Sequence, residues 1–124
     1  MSFYVLVVDD EESIRGFLRR RLEGWGYPVK EAASATEALD RMMIEPAAIA
    51  IIDVQMPGRN GLWLLEQIRQ AWSKTAVILT SEADEATPAE ASRRSGAIDC
   101  VFKPFDRELL QNAVVRATEA ASES

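Results

Sequence analysis

Two adjacent carboxylates, Asp9 and Asp10, close an apolar run, and a third, Asp53, closes another. Two hydroxyls, Thr80 and Ser81, end a further run, and an ammonium, Lys103, ends the last. Taken singly, such residues have ordinary uses as helix caps, dipole partners and solvated loop side chains. Their recurrence at the ends of successive apolar runs points to one shared site. Ligands of an open parallel sheet bind beyond the carboxyl ends of its strands, so all of these positions fall on one edge. Three carboxylates drawn together repel, and they do not all stay ionised without a cation to offset them. Mg2+ suits that role: it is a hard ion that takes one or two carboxylates, keeps several waters and tolerates a phosphoryl oxygen as a further ligand.

The elements that must carry these residues follow from the hydrophobic pattern. Phe3 to Val8 reads as a strand, and Ile14, Phe17, Leu18, Leu22 and Trp25 recur at helical steps until Gly24 and Gly26 interrupt them. Tyr27 to Ala32 is a weaker second strand. Ser34 and Glu37 form a capping box that opens a helix through about Ile44, closed by Pro46. Ala47 to Ile52 is apolar throughout, as a strand covered on both faces would be. After the turn-rich stretch Met56 to Gly61 comes a helix with Leu62, Leu65, Ile68 and Trp72 on its inner side. The helical period after Asn60-Gly61 argues against a hairpin there. Ala76 to Leu79 is the fourth strand, Ile98 to Phe102 the fifth, and Asp106 caps a last helix bearing Leu109, Leu110, Ala113, Val114 and Ala117. Between Glu82 and Gly96 the inward candidates are nearly all alanines around Pro88, so a short or mobile fourth helix is expected there. Alternating strands and helices with short connections specify an α/β fold, a parallel sheet with helices on both faces.

Composition narrows the chemistry. The 124 residues suit one domain, with 48% hydrophobic and 27% charged residues in the globular range. Histidine is absent, which removes a Ser/His/Asp triad, a His-ligated zinc site and a His general base. The single cysteine, Cys100, cannot close an internal disulfide, so a reducing compartment is expected. A basic leader and a membrane-length apolar run are both missing, which predicts a cytoplasmic protein without membrane contact. The formal charge of −6 argues against direct nucleic-acid contact by this domain. Residues 1–119 are expected to form the domain, with residues 120–124 a flexible tail or the start of a linker.

The stretches VLVVDDE (Val5 to Glu11), DVQMPGRNG (Asp53 to Gly61), ILTS (Ile78 to Ser81) and VFKPFD (Val101 to Asp106), in this order and spacing, resemble the response-regulator receiver domain of bacterial two-component systems. The resemblance covers nearly the whole chain. It implies a flavodoxin-like doubly wound sheet of strand order 2-1-3-4-5 with five helices. It also implies that Asp53 accepts a phosphoryl group from a phosphohistidine of a sensor kinase or a histidine phosphotransfer protein. Asp10 would ligate Mg2+ directly and Asp9 mostly through water, with Asp53 itself and the backbone carbonyl of Gln55 completing the protein's share. Lys103 would supply a second cation, Thr80 the switch hydroxyl, and Ser81 the small neighbour that admits the phosphoryl group. Such a domain is not an enzyme toward other molecules; it catalyses its own phosphorylation and a slow autodephosphorylation. Phosphorylation-dependent homodimerisation is a further expectation.

Several positions depart from the family pattern or lie beyond it. Cys100 stands where relatives often carry the aromatic ring that swings with the threonine, and the preferred reading is a small buried hydrophobe. Gln55 and Glu82 occupy the positions that tune the phosphoryl lifetime. Trp63 interrupts the polar side of its helix, with local packing favoured over an interface role. Arg15 and the run Arg19-Arg20-Arg21 give the first helix a basic face that, in the family, borders the site and helps dock the histidine-bearing partner. Two other classes compete. A haloacid-dehalogenase-like phosphatase would want an Asp where Gln55 stands and a cap domain for which there is no length. A degenerate receiver serving only as a binding module would not need Asp9, Asp10, Asp53, Thr80 and Lys103 intact.

Overall fold

A computed structural model describes residues 3–82 and 96–122. Its sheet has five parallel strands in the order β2-β1-β3-β4-β5: β1 (Val5–Val8), β2 (Val29–Ala32), β3 (Ile49–Asp53), β4 (Ala76–Glu82) and β5 (Asp99–Lys103). Four helices are present among the described residues: α1 (Glu12–Gly24), α2 (Ala35–Ile44), α3 (Gly61–Ala71) and α4 (Arg107–Ser122). The short helix expected between Glu82 and Gly96 falls on residues 83–95, outside the described residues.

Strand alternation divides the core in two. Leu6, Val8, Ala50, Ile52, Val77 and Leu79 face Ala38 and Met42 of α2 and Leu64, Leu65 and Ile68 of α3. Val5, Val7, Ile49, Ile51 and Ile78 face Leu18 and Leu22 of α1 and Leu110, Ala113, Val114 and Ala117 of α4. Both faces are covered, which is why β1 and β3 are buried at every position and read as continuous apolar runs.

The helix starts are specified locally. Ser34 accepts a hydrogen bond from the Glu37 N–H at 3.1 Å, while the Glu37 carboxylate reaches the Ala33 N–H, one residue before the cap. Asn60 caps α3 by accepting from the Trp63 N–H at 2.9 Å, and Asp106 caps α4 by accepting from the Leu109 N–H at 3.0 Å.

β1, β2, β3 and β5 begin at Val5, Val29, Ile49 and Asp99 rather than at Phe3, Tyr27, Ala47 and Ile98, and four elements end later than the sequence pattern indicates. β3 includes Asp53, β4 runs on through Thr80 and Ser81 to Glu82, and β5 includes Lys103, because ladder pairing continues past the apolar runs: Asp53 pairs with Thr80 and Glu82 with Lys103. α4 continues to Ser122, with Ala120 and Ala121 packed on the core, so the tail expected from residue 120 is helical through Ser122. On α3, Leu64 is buried and Leu62 only partly so. With Leu62, Leu64 and Leu65 all apolar, periodicity alone left the phase of that face open. Leu109 is exposed rather than inward.

Candidate phosphoacceptor site

Because every strand is parallel, all carboxyl ends meet at one edge, and the pleat decides which end residues turn inward. Six polar or charged residues are buried among those described: Asp9, Asp53, Thr75, Thr80, Ser81 and Lys103. Five of them stand at this edge.

Asp9 follows β1 and is 1% exposed. Its Oδ1 accepts from the Glu11 N–H at 2.9 Å, and its Oδ2 accepts from Lys103 Nζ at 3.0 Å. Asp53, at the end of β3, is 4% exposed. Its Oδ1 accepts from the Gln55 N–H at 3.2 Å and lies 3.5 Å from Lys103 Nζ. Asp10 is exposed, beside these two. Carboxylate oxygens of Asp9, Asp10 and Asp53 lie within 4.8 Å of one another.

The electrostatics follow from this crowding. Burial and then the charge of Asp9 push Asp53 up to about 6, with Asp10 adding to the rise. Lys103 and the Gln55 N–H pull the other way without cancelling it. For Lys103, burial favours loss of the proton, but the Asp9 and Asp53 carboxylates outweigh it and hold the ammonium above its ordinary range. Lys103 thus serves Asp9 and Asp53, with Asp10 beside them, so carboxylates outnumber the ammonium in a pocket of oxygen donors at the mouth of the sheet. This donor set, hard and oxygen-only with one exposed carboxylate, fits a divalent cation such as Mg2+ that retains waters.

Two loops fix the geometry. The Val54 N–H donates to the Thr80 carbonyl at 2.9 Å, tying the chain after Asp53 to β4. The Gly61 N–H donates to the Val54 carbonyl at 3.1 Å. A Cβ on Gly61 would lie 2.1 Å from the Asp53 carbonyl oxygen, so only glycine lets α3 start against the end of β3. In the sequence Gly61 reads only as the end of the turn-rich stretch from Met56.

The chain matches the response regulator receiver domain model over residues 5–115. It belongs to the response-regulator receiver family. The receiver is 35% identical to the response regulator MprA of Mycobacterium bovis, covering 100% of this chain and 56% of MprA. It spans 56% of the length of MprA and 21% of that of the transcriptional regulator NtrC of Klebsiella pneumoniae, to which it is 36% identical over 81% of this chain. Among solved structures it resembles a response regulator receiver domain protein of Clostridium thermocellum (TM-score 0.87, 27% identity, 96% of this chain and 95% of that one). It also resembles the chemotaxis protein CheY4 of Vibrio cholerae (TM-score 0.84, 28% identity, 94% and 98%). The expected strand order and doubly wound architecture agree with these relatives.

The other positions singled out in the receiver sequence are distributed as follows. Thr80 and Ser81 are both buried in β4. Gln55 and Glu82 are exposed at the rim. Cys100 is half-buried in β5, and burial together with Asp99 pushes its thiol up, which keeps it a neutral small side chain. Trp63 packs against the core and carries the Arg59 guanidinium 4.3 Å from its ring centroid. On α1, Arg15 and Arg19 both bind Glu31 of β2, at 3.1 and 2.7 Å, rather than forming an open basic face. Arg21 lies over Phe17, and Arg20 is exposed. No helix among the described residues is long and apolar enough to cross a membrane.

Proposed function

We propose that this receiver is a phospho-accepting switch in which Asp53 takes a phosphoryl group from a phosphohistidine of a sensor kinase or phosphotransfer protein. The observation that carries the reading is the convergence of Asp9, Asp10 and Asp53 within 4.8 Å, with Lys103 Nζ 3.5 Å from Asp53. An Asp53 oxygen attacks phosphorus in line, the phosphorus–nitrogen bond of the donor breaks, and its electron pair stays on the imidazole nitrogen. Asp9, Asp10, Asp53 and the Gln55 backbone carbonyl would hold Mg2+, which supplies charge neutralisation for the phosphoryl oxygens when bound. Lys103 offers a second cation from the β5 side, already drawn toward Asp53. Thr80, on the strand next to Asp53, turns toward the phosphoryl group as the switch hydroxyl, and Ser81 leaves room for it.

Water later cleaves the acyl phosphate, returning the Asp53 carboxylate and orthophosphate. Gln55 and Glu82, exposed at the rim, set how readily that water is oriented. Cys100 fills the switch-aromatic position as a thiol, so coupling to a partner or dimer surface rests on Thr80 and its strand. The unit, whose last helix runs to Ser122, acts in the cytoplasm as a regulatory module, turning over no outside substrate and making no direct contact with nucleic acid.

Phosphoramidate, a small donor with the same phosphorus–nitrogen bond, tests the reading. Mg2+-dependent incorporation that is lost in Asp53→Asn and cut by at least about tenfold in Lys103→Ala is the expected result, since one preorganised charge contributes on that order. Equal incorporation in Asp53→Asn would overturn it.

A further inference from the structure

Asp10 differs from the other two acids of the cluster. Asp9 and Asp53 are buried and bonded to Lys103 and to backbone N–H groups, so packing holds their carboxylates. Asp10 is exposed, and its aim depends on its own main chain. Both peptide groups flanking it are tied down. On one side the Arg15 Nη1 donates to the Asp9 carbonyl at 2.8 Å, fixing the peptide that leads into Asp10. On the other the Glu11 N–H donates to Asp9 Oδ1 at 2.9 Å, fixing the peptide that leaves it. The Arg15 guanidinium is itself held from behind. Its Nε donates to Glu31 Oε1 at 3.1 Å, and the other Glu31 oxygen accepts from Arg19 Nη1 at 2.7 Å. Arg19 in turn reaches the Val29 carbonyl at 3.0 Å, so the chain of contacts ends on the backbone of β2.

We infer that Arg15 is a positioning residue for the metal site: braced by Glu31, it fixes the peptide before Asp10 and thereby aims the exposed Asp10 carboxylate at a bound divalent cation. The inference rests on the reading of Asp9, Asp10 and Asp53 as a Mg2+ site.

Charge and position make opposite forecasts here, which gives the test its edge. A guanidinium near three acids repels a dication, so deleting it would tighten Mg2+ binding on Coulombic grounds alone. Loss of a support behind a metal ligand weakens binding, commonly by tenfold or more. Mg2+ affinity of the unphosphorylated chain is measured by titration calorimetry, below the thermal midpoint of each variant. Arg15→Met, which keeps the apolar stem, should weaken binding roughly tenfold. Arg15→Lys, which keeps the charge but loses the fork and is the milder change for folding, should weaken it by about threefold. In an Asp10→Asn background, Arg15→Met should change the remaining affinity by less than about twofold, because the ligand that Arg15 aims is gone. Unchanged or tighter binding in both Arg15 variants overturns the inference while leaving the Mg2+ site standing. A wild-type chain that binds no Mg2+, or binds it equally well as Asp10→Asn, removes the site and the inference together.

Discussion

The two edges of the sheet are made from the same strands and use buried polar groups in opposite ways. At the amino edge the buried polar group is Thr75, whose Oγ1 donates to the Ala47 carbonyl at 2.7 Å. Nearby, the Tyr4 hydroxyl donates to the Glu45 carbonyl, and burial followed by the Glu45 charge keeps that phenol protonated. These groups are neutral and satisfied by backbone. At the carboxyl edge Asp9, Asp53 and Lys103 crowd together, and burial followed by the charge of Asp9 raises Asp53 to about 6, a rise that Lys103 offsets only in part. One edge closes the fold. The other gathers carboxylates whose crowding a divalent cation would relieve.

Gly61→Ala should have the largest effect on this contrast. Its Cβ would collide with the Asp53 carbonyl, so α3 must move or the end of β3 must bend. We expect a loss of about 3 kcal/mol or more in denaturant unfolding, together with weakened Mg2+ binding. A neutral substitution would mean that the two loops are not locked together at the site.

Asp53→Asn should act in the opposite direction. In the metal-free chain the folded pKa of Asp53 lies above its ordinary value of 3.8, at about 6. A raised carboxyl contributes stability while protonated, and loses it as pH climbs through that window. Above pH 6 the ionised Asp53 therefore costs about 2 to 3 kcal/mol relative to an unperturbed carboxyl. At pH 7 without Mg2+, the asparagine variant should melt higher than wild type, and the difference should shrink toward pH 4. A lower melting point at pH 7 would show that the ionised Asp53 does not destabilise the metal-free fold.

At the amino edge, Thr75→Val should destabilise by about 1 to 2 kcal/mol by stranding the Ala47 carbonyl. Mg2+ affinity should stay within about twofold of wild type, since additivity holds for separated sites. A marked change in Mg2+ binding would erase the distinction between the edges. The smallest effect belongs to Ser34→Ala, which removes the α2 cap and should cost about 1 kcal/mol in unfolding experiments. Mg2+ binding should be unaffected; a shift there would extend the site to a cap it does not touch.

Much of this is legible in the amino-acid sequence. The central strands announced themselves because burial on both faces leaves no polar alternation. The site announced itself because parallel strands bring every carboxyl end to one edge, so Asp9, Asp53, Thr80 and Lys103 had only to be read as end residues. What stayed hidden depended on contacts between distant elements. Arg15 and Arg19 looked like a solvated basic face, and only the approach of β2 reveals that Glu31 engages both. Gly61 looked like a turn residue because steric exclusion by the Asp53 carbonyl has no signature in a single sequence. On α3 the spacing of Leu62, Leu65, Ile68 and Trp72 marks residues that do meet the core, but Leu64 stays hidden in the run Leu62-Trp63-Leu64-Leu65, where apolarity is too continuous to define a stripe. Strand ends were drawn short because the ladder extends into polar residues whose burial the hydrophobic pattern does not register.

The central claim, that the three acids and Lys103 form a Mg2+-dependent phosphoacceptor, is tested most directly by incubating the chain with acetyl phosphate and following its intact mass. The chain should gain a single phosphoryl group, mapped to Asp53, only when Mg2+ is present. Labelling at another residue, labelling undiminished by metal chelation, or none at all with Mg2+ present would contradict it.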